Sequence, residues 1–260
     1  MKNLVFTSAG DNTKFYDDWL TPENIRTFDL YVIYYGKDEN KYELYKSKAT
    51  WIEKREGSKF QNFAYLYKTY AEKLVGYERL FILDDDIQMN AHDINKMFEI
   101  SYKYNLSICQ PSFTKESILS HGITRHKPKL LLQYTNFVEV NTPLFTRTAL
   151  DKLMLYYNDN LIGWGIDYLY IWANGLDLKN AYAVIHSVKC VNPSKMQKGI
   201  ETREILLCKK GRYRRNIWEK YADSIKCPRE FKLLRYDSIP ITFPEITPGH
   251  PSISVPQHTV

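Results

Sequence analysis

The sequence predicts an α/β fold in which helices cover both faces of a mostly parallel central sheet. Two observations support this class. Apolar runs of strand length alternate along the chain with segments whose apolar residues recur at helical spacing. The apolar run 80–83 also passes directly into Asp84, Asp85 and Asp86, as a buried strand does where it ends at the polar edge of such a sheet. With 260 residues, of which 44% are hydrophobic, the chain can fill one large core.

The first third of the chain contains three predicted strands and one predicted helix. NLVFTS at 3–8 is a strand that begins almost at once, and the polar turn AGDNT follows it. FDLYVIYYG at 28–36 is the second strand. Ser58 caps a helix in which aromatic residues recur at helical spacing, and Gly76 ends it. The strand at 80–83 follows.

The alternation continues to residue 187. LSICQP at 106–111 is a strand that its proline should stop, because proline has no N–H for the ladder. One or two further strands lie within 130–145. RTALDKLMLYY at 147–157 is helical, with Thr146 as its cap. AYAVIHS at 181–187 is the last clear strand.

The net charge of +6 is concentrated toward the C-terminus. The segment 195–235 carries 13 basic and five acidic residues, which indicates an anionic partner. Within it, 212–226 places Trp218 and other apolar residues on one helical face and basic residues on the other. We favour packing of the apolar face on its own domain, with contact between the charges and an anionic membrane as a hypothesis. The residues from 239 onward form a proline-rich tail.

Cysteine spacing and hydropathy bear on the compartment. Cys109, Cys190, Cys208 and Cys227 show no C-x-x-C spacing, which favours free thiols in a reducing compartment over disulfides or zinc. No apolar run approaches the roughly 20 residues of a membrane span, and the N-terminus lacks a signal-peptide cleavage pattern. The sequence therefore predicts a cytoplasmic protein, with peripheral membrane contact through 203–226 as a hypothesis.

The acidic triplet is the first candidate site. Asp84 and Asp86 offer hard oxygen ligands at the end of a central strand, which suits Mg²⁺ or Mn²⁺ together with substrate phosphates. A solvated acidic turn is the alternative. An EF-hand is excluded, because its loop needs glycine where Met89 stands and glutamate where Asn95 stands. Phosphatases with an aspartate nucleophile also carry D-x-D after a strand, but they usually have Thr or Val where this chain has Gln88.

The segment NDNLIGWGIDYLYIW at 158–172 is the second candidate site. Gly163 and Gly165 flank Trp164, so backbone can approach a ligand while the indole offers a flat apolar face. Asp167 follows in the first turn of a predicted helix. A sugar site needs an aromatic platform on which the ring stacks and a base that takes the proton from an acceptor hydroxyl. A glycine turn with a buried tryptophan and a capping aspartate is the alternative.

Several blocks resemble a little-characterised family of plant and bacterial proteins with the signature of metal-dependent, GT-A-fold nucleotide-sugar glycosyltransferases. The family pattern has D-E-D-I and T-G-F-V-E where this chain has Asp85 and Asn136. The stretch 1–79 fits a nucleotide-binding half less specifically, and nothing beyond residue 195 matches. The matching blocks, in order and at similar spacing, are DDDI (84–87), ICQPSF (108–113), SILSHGIT (117–124), TNFVEVNTPLFTRTAL (135–150), NDNLIGWGID (158–167) and AVIH (183–186).

The resemblance implies a Rossmann-like GT-A sandwich and assigns roles to four residues. Asp84 and Asp86, with the later histidine His186, would hold Mn²⁺ or Mg²⁺ on the diphosphate of the donor. Asp167 would be the general base that deprotonates the acceptor, which makes the reaction inverting. Taken without the family, a lone histidine such as His186 is more often structural.

Further donor residues in the turn after the first strand, with Tyr35 and Lys59, rest on their position in the chain, and ordinary loop polarity is their alternative. The basic turn with His121 and Arg125 could equally be a solvated loop. The turn after the first strand and the end of the second would hold the base and ribose of the donor, and a lysine would contact its phosphate. A basic turn and a predicted strand at NFVEVN would contact the acceptor. The donor set is Thr7, Ser8, Ala9, Asp11, Tyr35, Lys59, Asp84 and Asp85, and the acceptor set is Glu139, Trp164, Gly165, His121 and Arg125.

Together these inferences predict a metal-dependent glycosyltransferase that moves a sugar from a nucleoside diphosphate sugar, a UDP-sugar, to a glycan or lipid-linked acceptor. Residues 1–195 would form the catalytic domain, with a nucleotide-binding half at 1–83 and a metal and acceptor half at 84–195. Residues 196–260 would form a basic helical extension and tail. A metal-dependent phosphohydrolase is the alternative. A non-catalytic nucleic-acid-binding protein, suggested only by the basic segment, comes third, and no nucleic acid is expected as a partner.

Overall fold

A computed structural model describes residues 2–13, 15–193, 208 and 210–242 of the chain. Within these residues, nine strands form one sheet in the order β3-β2-β1-β4-β7-β5-β8-β6-β9. The strands are β1 (Lys2–Ala9), β2 (Asp29–Tyr34), β3 (Trp51–Lys54), β4 (Tyr77–Ile82), β5 (Ile108–Phe113), β6 (Leu130–Thr135), β7 (Leu144–Thr146), β8 (Tyr182–Cys190) and β9 (Arg235–Pro240).

Helices cover both faces of this sheet. Side chains alternate between the faces along β1, so Phe6 joins one apolar core and Val5 joins the other. Phe63, Leu150 and the helices that carry them pack on the first face. The helices are α1 (Phe15–Asp18), α2 (Glu39–Lys48), α3 (Lys59–Thr69), α4 (Ala91–Lys103), α5 (Arg147–Tyr156), α6 (Ile166–Asn174) and α7 (Arg214–Ser224). The predicted α/β sandwich is confirmed.

The sheet is parallel from β3 through β2 and β1 to β4. Beyond β4 it is mixed, since β7 lies antiparallel between β4 and β5, and β6 pairs antiparallel with both β8 and β9. The carboxyl ends of β1 and β4 therefore meet at one edge, where parallel sheets bind ligands. Gly10 follows β1 at this edge, and Asp84 follows β4 shortly after its last residue.

Helix caps stand where the sequence predicts them. Ser58 precedes α3, and its backbone N–H donates to Gln61 Oε1 at 2.9 Å. Thr146 precedes α5, and its Oγ1 accepts from the N–H of Ala149 at 3.0 Å. The helix that begins after Ser58 is shorter than predicted, because α3 ends at Thr69 and a 3₁₀ turn leads on to the next strand.

The prediction that Pro111 stops its strand is wrong. β5 continues through Pro111 to Phe113. Proline removes a ladder donor, but here the pairing of β5 with β7 ends at Cys109, and the register against β8 shifts directly after Pro111. Proline is tolerated at such an irregularity because a regular ladder bond is not required there.

The segment after residue 208 packs on the rest of the chain. Trp218 of α7 is 1% exposed and belongs to the first core, while Ile217 and Tyr221 lie against that core. The predicted packing of the apolar face is thus confirmed. Three predictions stay untested because they concern residues outside the described part of the chain. They are the division of the chain at residue 195, the basic residues from 195 to 207 and the tail from 243 onward.

Two further sequence inferences concern cysteines and membrane spans. The four cysteines are free thiols, as predicted, and Cys109, Cys190 and Cys227 are buried. None of the helices in the described part of the chain has both the length and the apolar character to cross a bilayer.

Candidate active site

A cavity of about 930 Å³ opens at the edge of the sheet where β1 and β4 end. This volume is in the range of small-molecule sites. The cavity brings together segments that are distant in sequence: the turn after β1, the acidic triplet after β4, the connection between β6 and β7, and the start of α6. Predicted site residues that line it are Tyr35, Lys59, Asp84, Asp85, Asp86, His121, Glu139, Trp164, Gly165 and Asp167.

Lys59 and Asp84, which both line the cavity, form an ion pair in which the lysine is buried and the aspartate is partly exposed. The Lys59 side chain is 5% exposed, and its Nζ lies 2.7 Å from Asp84 Oδ1. The same ammonium donates to the backbone carbonyls of Val140 at 2.8 Å, Asn141 at 3.1 Å and Ile82 at 3.3 Å. An ammonium has three protons, and these four oxygens already engage them. Lys59 is therefore fully engaged within the protein, and the predicted phosphate contact stays a prediction.

Asp85 ties the acidic triplet to the nucleotide side of the cavity. Its Oδ2 accepts from the N–H of Gly10 at 3.0 Å and lies 3.5 Å from the hydroxyl of Tyr35. This carboxylate thus fixes the turn after β1 and the end of β2 against the end of β4. Asp86 is half-buried and lines the cavity beside it.

The three predicted metal ligands are not brought together. His186 lies in β8, where its Nδ1 accepts from the N–H of Lys127 at 3.2 Å and its ring centroid lies 6.2 Å from that of His126. Burial lowers the pKa of His186 to about 4, and the charge of Lys127 adds to this. Among the described residues, no group of three or more His, Cys, Asp or Glu side chains could hold a metal ion.

These observations do not fit the predicted site of Asp84, Asp86 and His186. A buried ammonium occupies the carboxylate of Asp84, and His186 lies against Lys127 instead of lining the cavity.

The predicted donor residues of β1 are mostly internal. β1 extends to Ala9, so Thr7, Ser8 and Ala9 lie within the strand and are buried. Ser8 Oγ accepts from Asn62 Nδ2 at 2.9 Å. Asp11 does lie in the turn, but its carboxylate accepts from the backbone N–H of Lys37 at 3.0 Å and from the hydroxyl of Tyr34. None of these four residues lines the cavity.

Asp167 presents a buried carboxyl to the cavity. It is 6% exposed and stands in the first turn of α6, where its Oδ1 accepts from the N–H of Tyr168 at 3.1 Å. Burial raises the pKa of Asp167 to about 7. Hydrogen bonds from backbone groups, including that of Val140, act in the opposite direction and lower this pKa, but burial is the larger effect. A carboxyl with this pKa can accept a proton near neutral pH.

Glu139 is a second buried carboxyl in the same cavity. Its Oε1 accepts from Asn141 Nδ2 at 3.1 Å, and its Oε2 lies 3.4 Å from Thr124 Oγ1. Burial raises the pKa of Glu139 to about 8, and the charge of Asp167 contributes. The prediction that Glu139 lies on a strand is wrong, because β6 ends at Thr135 and the residue belongs to the connection before β7.

Trp164 is 38% exposed at the cavity mouth, which suits an aromatic platform. Gly165, however, is required for packing. Its φ of +80° is left-handed, and a Cβ there would lie 2.1 Å from Cδ2 of the buried Trp218. Gly163 and Gly165 both line the cavity, and the prediction that their backbone approaches a ligand stays a prediction. The guanidinium carbons of Arg214 and Arg215 lie 5.9 and 5.6 Å from the Trp164 ring centre.

Of the two predicted acceptor residues in the basic turn after β5, one lines the cavity and the other does not. His121 lines the cavity with its ring 4.6 Å from that of Phe137, and burial lowers the pKa of His121. Arg125 is exposed and does not line the cavity. The predicted acceptor role of Arg125 is thus not supported by its position.

Sequence reasoning did not find several cavity residues. Asn12 and Thr13 follow the predicted turn by one or two positions, so the turn itself was the available signal. Three further cavity residues, Arg214, Arg215 and Glu230, come from the C-terminal segment. The only signal in the sequence was the charge of that segment as a whole.

Comparisons with known proteins agree with this fold. S. aureus TarS 1-349, a GT-A-type glycosyltransferase, superposes with a TM-score of 0.54 at 12% identity over 86% of this chain and 65% of that chain. TarS 1-349 in complex with UDP superposes with a TM-score of 0.51 at 13% identity, over 76% of this chain and 62% of that chain. TarS 1-349 in complex with UDP-GlcNAc superposes with a TM-score of 0.52 at 12% identity, over 86% of this chain and 66% of that chain. The predicted GT-A-like fold is confirmed.

At these identities the likeness concerns the fold alone. The chain spans about two thirds of the length of the TarS 1-349 structures and 40% of a longer TarS structure. No protein-family profile matches the sequence. No curated protein matches it either.

Proposed function

We propose that this protein transfers a sugar from a nucleoside diphosphate sugar, a UDP-sugar, to a hydroxyl of a glycan or lipid-linked acceptor, with inversion at the anomeric carbon. The observation that carries the proposal is the buried carboxyl of Asp167, which shares one cavity with the acidic edge of the sheet and with Trp164. TarS, whose fold is similar, was solved with UDP and with UDP-GlcNAc, so a fold of this type accommodates such a donor.

The nucleoside of the donor lies against the turn after β1 and the end of β2. Gly10 and Tyr35 are held there by Asp85, and Asn12 and Thr13 offer polar groups in the same wall. The sugar then extends toward Asp167, and the acceptor stacks on Trp164 at the mouth. This arrangement orders the site from donor to acceptor along the cavity.

In the chemical step, Asp167 takes the proton of the acceptor hydroxyl as that oxygen attacks the anomeric carbon. A new glycosidic bond forms while the bond between the anomeric carbon and the diphosphate oxygen breaks, and the nucleoside diphosphate leaves with the electron pair. One direct displacement inverts the anomeric carbon. Arg214 over Trp164 supplies a positive charge at the cavity mouth.

The alternative, a phosphohydrolase with a nucleophilic aspartate, is less well supported. Its nucleophile would be an aspartate of the triplet, and Asp84 Oδ1 is already held by Lys59 at 2.7 Å. The predicted membrane contact through 203–226 stays a prediction, because 203–207 and 209 lie outside the described residues.

A thermal-shift screen of nucleoside diphosphate sugars, with EDTA and with Mn²⁺, tests the proposed function. A donor at about 100 times its dissociation constant should stabilise the fold by about 2.7 kcal/mol. Asp85→Asn should lose most of this shift, because Asp85 holds the nucleotide wall, whereas the matched variant Asp177→Asn, at an exposed position outside the cavity, should keep it. Release of phosphate from a simple phosphate ester, without a shift by any nucleotide sugar, would favour the phosphohydrolase.

A further inference from the structure

The ammonium of Lys59 sits in a cage of oxygens that resembles a cation site. Its neighbours are one carboxylate oxygen of Asp84 at 2.7 Å and three carbonyl oxygens, from Val140 at 2.8 Å, Asn141 at 3.1 Å and Ile82 at 3.3 Å. Carboxylate and carbonyl oxygens are the ligands that hard cations take in proteins. Here the side chain of the protein itself provides the cation.

This charge is held firmly by its surroundings. The Lys59 side chain is 5% exposed, while that of Asp84 is 32% exposed. A buried ammonium is costly unless it is paired and fully hydrogen-bonded, and the cage meets both conditions. A divalent ion bound to Asp84 would bring a second positive charge next to the ammonium that already contacts this carboxylate, and the repulsion between the two charges opposes metal binding at Asp84.

The cage also joins three parts of the cavity. Ile82 is the last residue of β4, Val140 and Asn141 belong to the connection before β7, and Lys59 opens α3. Glu139 directly precedes the two caged carbonyls, and a backbone group of Val140 bonds the carboxyl of Asp167. Lys59 is therefore bonded to the wall that carries the two buried carboxyls.

We propose that Lys59 is the built-in counter-ion of Asp84: it withdraws the first aspartate of the D-x-D pattern from divalent-metal binding and fixes the wall at 139–141. Lys59 is a positioning residue and does not contact the substrate. Its importance for sugar transfer rests on the proposed function, whereas the competition between lysine and metal for Asp84 does not depend on it.

Mn²⁺ titration of the nucleotide-free protein, followed by the electron paramagnetic resonance signal of the free ion, tests this inference. Asp84→Asn should leave the Mn²⁺ affinity of the otherwise unchanged protein within about threefold, because Asp84 is not a ligand. Lys59→Met should raise the affinity by about 10-fold or more, the size of effect that neighbouring groups have on metal sites. Lys59→Arg, which keeps the charge, should behave as the unchanged protein does.

The double variant Lys59→Met with Asp84→Asn should lose the gain, which ties it to the released carboxylate. A loss of about 10-fold in Mn²⁺ affinity in Asp84→Asn alone would overturn the inference, and so would a folded Lys59→Met without a gain. If Lys59→Met does not fold, as far-UV circular dichroism would show, the Asp84→Asn comparison decides. Since no nucleotide is present, the result stands apart from the outcome of the nucleotide-sugar screen.

Discussion

Replacement of Asp167 by asparagine removes the proposed base while keeping its shape. The side chain is 6% exposed and its Oδ1 accepts from the N–H of Tyr168 at 3.1 Å, a bond that the amide oxygen of asparagine retains. An amide cannot accept the acceptor proton at neutral pH. Loss of a general base typically removes about 10²–10⁴-fold in rate, or about 3–5 kcal/mol of barrier. We expect the turnover of Asp167→Asn to fall by this factor.

Donor binding should hardly change in Asp167→Asn, because the base acts in the transition state and not on the bound donor. The assay is release of nucleoside diphosphate in the presence of an acceptor, with the donor dissociation constant measured separately; we expect the latter to stay within about threefold. The matched variant Asp177→Asn makes the same chemical change at an exposed position outside the cavity and should leave both quantities unchanged.

The pH dependence of the unchanged enzyme gives a second readout. Burial raises the pKa of Asp167 to about 7, so the base is ionised above this pH and protonated below it. Turnover should therefore fall as the pH drops below 7, and the residual activity of Asp167→Asn should lack this fall. Near-normal turnover in the variant would refute the assignment and make Glu139 the next candidate. A product that retains the anomeric configuration by NMR would refute direct displacement.

Three further predictions concern stability and the acceptor. Burial raises the pKa of Glu139 to about 8 from an ordinary 4.5. Between these pH values the folded state binds more protons than the unfolded state, so the free energy of unfolding falls as the pH rises. Glu139→Gln should remove a slope of up to about 1.4 kcal/mol per pH unit from the unfolding free energy measured in urea, and an unchanged slope would contradict the burial argument. Gly165→Ala should cost about 2–4 kcal/mol of unfolding free energy, because it adds strain at positive φ to overlap with Trp218. Gly76→Ala, at a φ of +84° with nothing within 4 Å of the new Cβ, should cost only about 1 kcal/mol, and equal losses would show that the overlap is relieved. Trp164→Ala should raise the acceptor KM and leave the donor dissociation constant unchanged, since Trp164 lies at the mouth; the reverse pattern in steady-state kinetics would move the acceptor elsewhere.

The local features of this fold could be predicted because they depend on neighbouring residues. An apolar run that ends in Asp84 locates the edge of the sheet, and the caps at Ser58 and Thr146 follow from the first turn of each helix. The apolar face around Trp218 has a clear helical period, which predicts that this face packs on the rest of the domain. The α2 helix was not predicted, because Tyr45 is its only buried residue and no apolar period marks it.

The arrangement of the site depends on contacts between distant residues, which a single sequence does not show. Lys59 and Asp84 are 25 positions apart, and their pairing follows from how α3 packs on the end of β4. The contact of His186 with Lys127 joins residues 59 positions apart in the chain. Glu139 alternates with apolar residues as a strand residue does, but β6 ends before it, so alternation alone gave the wrong element.

The proposed function requires that the cavity at the end of β1 and β4 binds a nucleoside diphosphate sugar as the donor of a transfer reaction. Calorimetric titration of UDP-sugars and of the other nucleoside diphosphate sugars into the protein measures this binding. We expect saturable one-to-one binding of at least one donor with a dissociation constant between about 1 μM and 1 mM. This binding should be weaker in Asp85→Asn and unchanged in Asp177→Asn. Absence of saturable binding by every donor, or binding that Asp85→Asn does not affect, would contradict it.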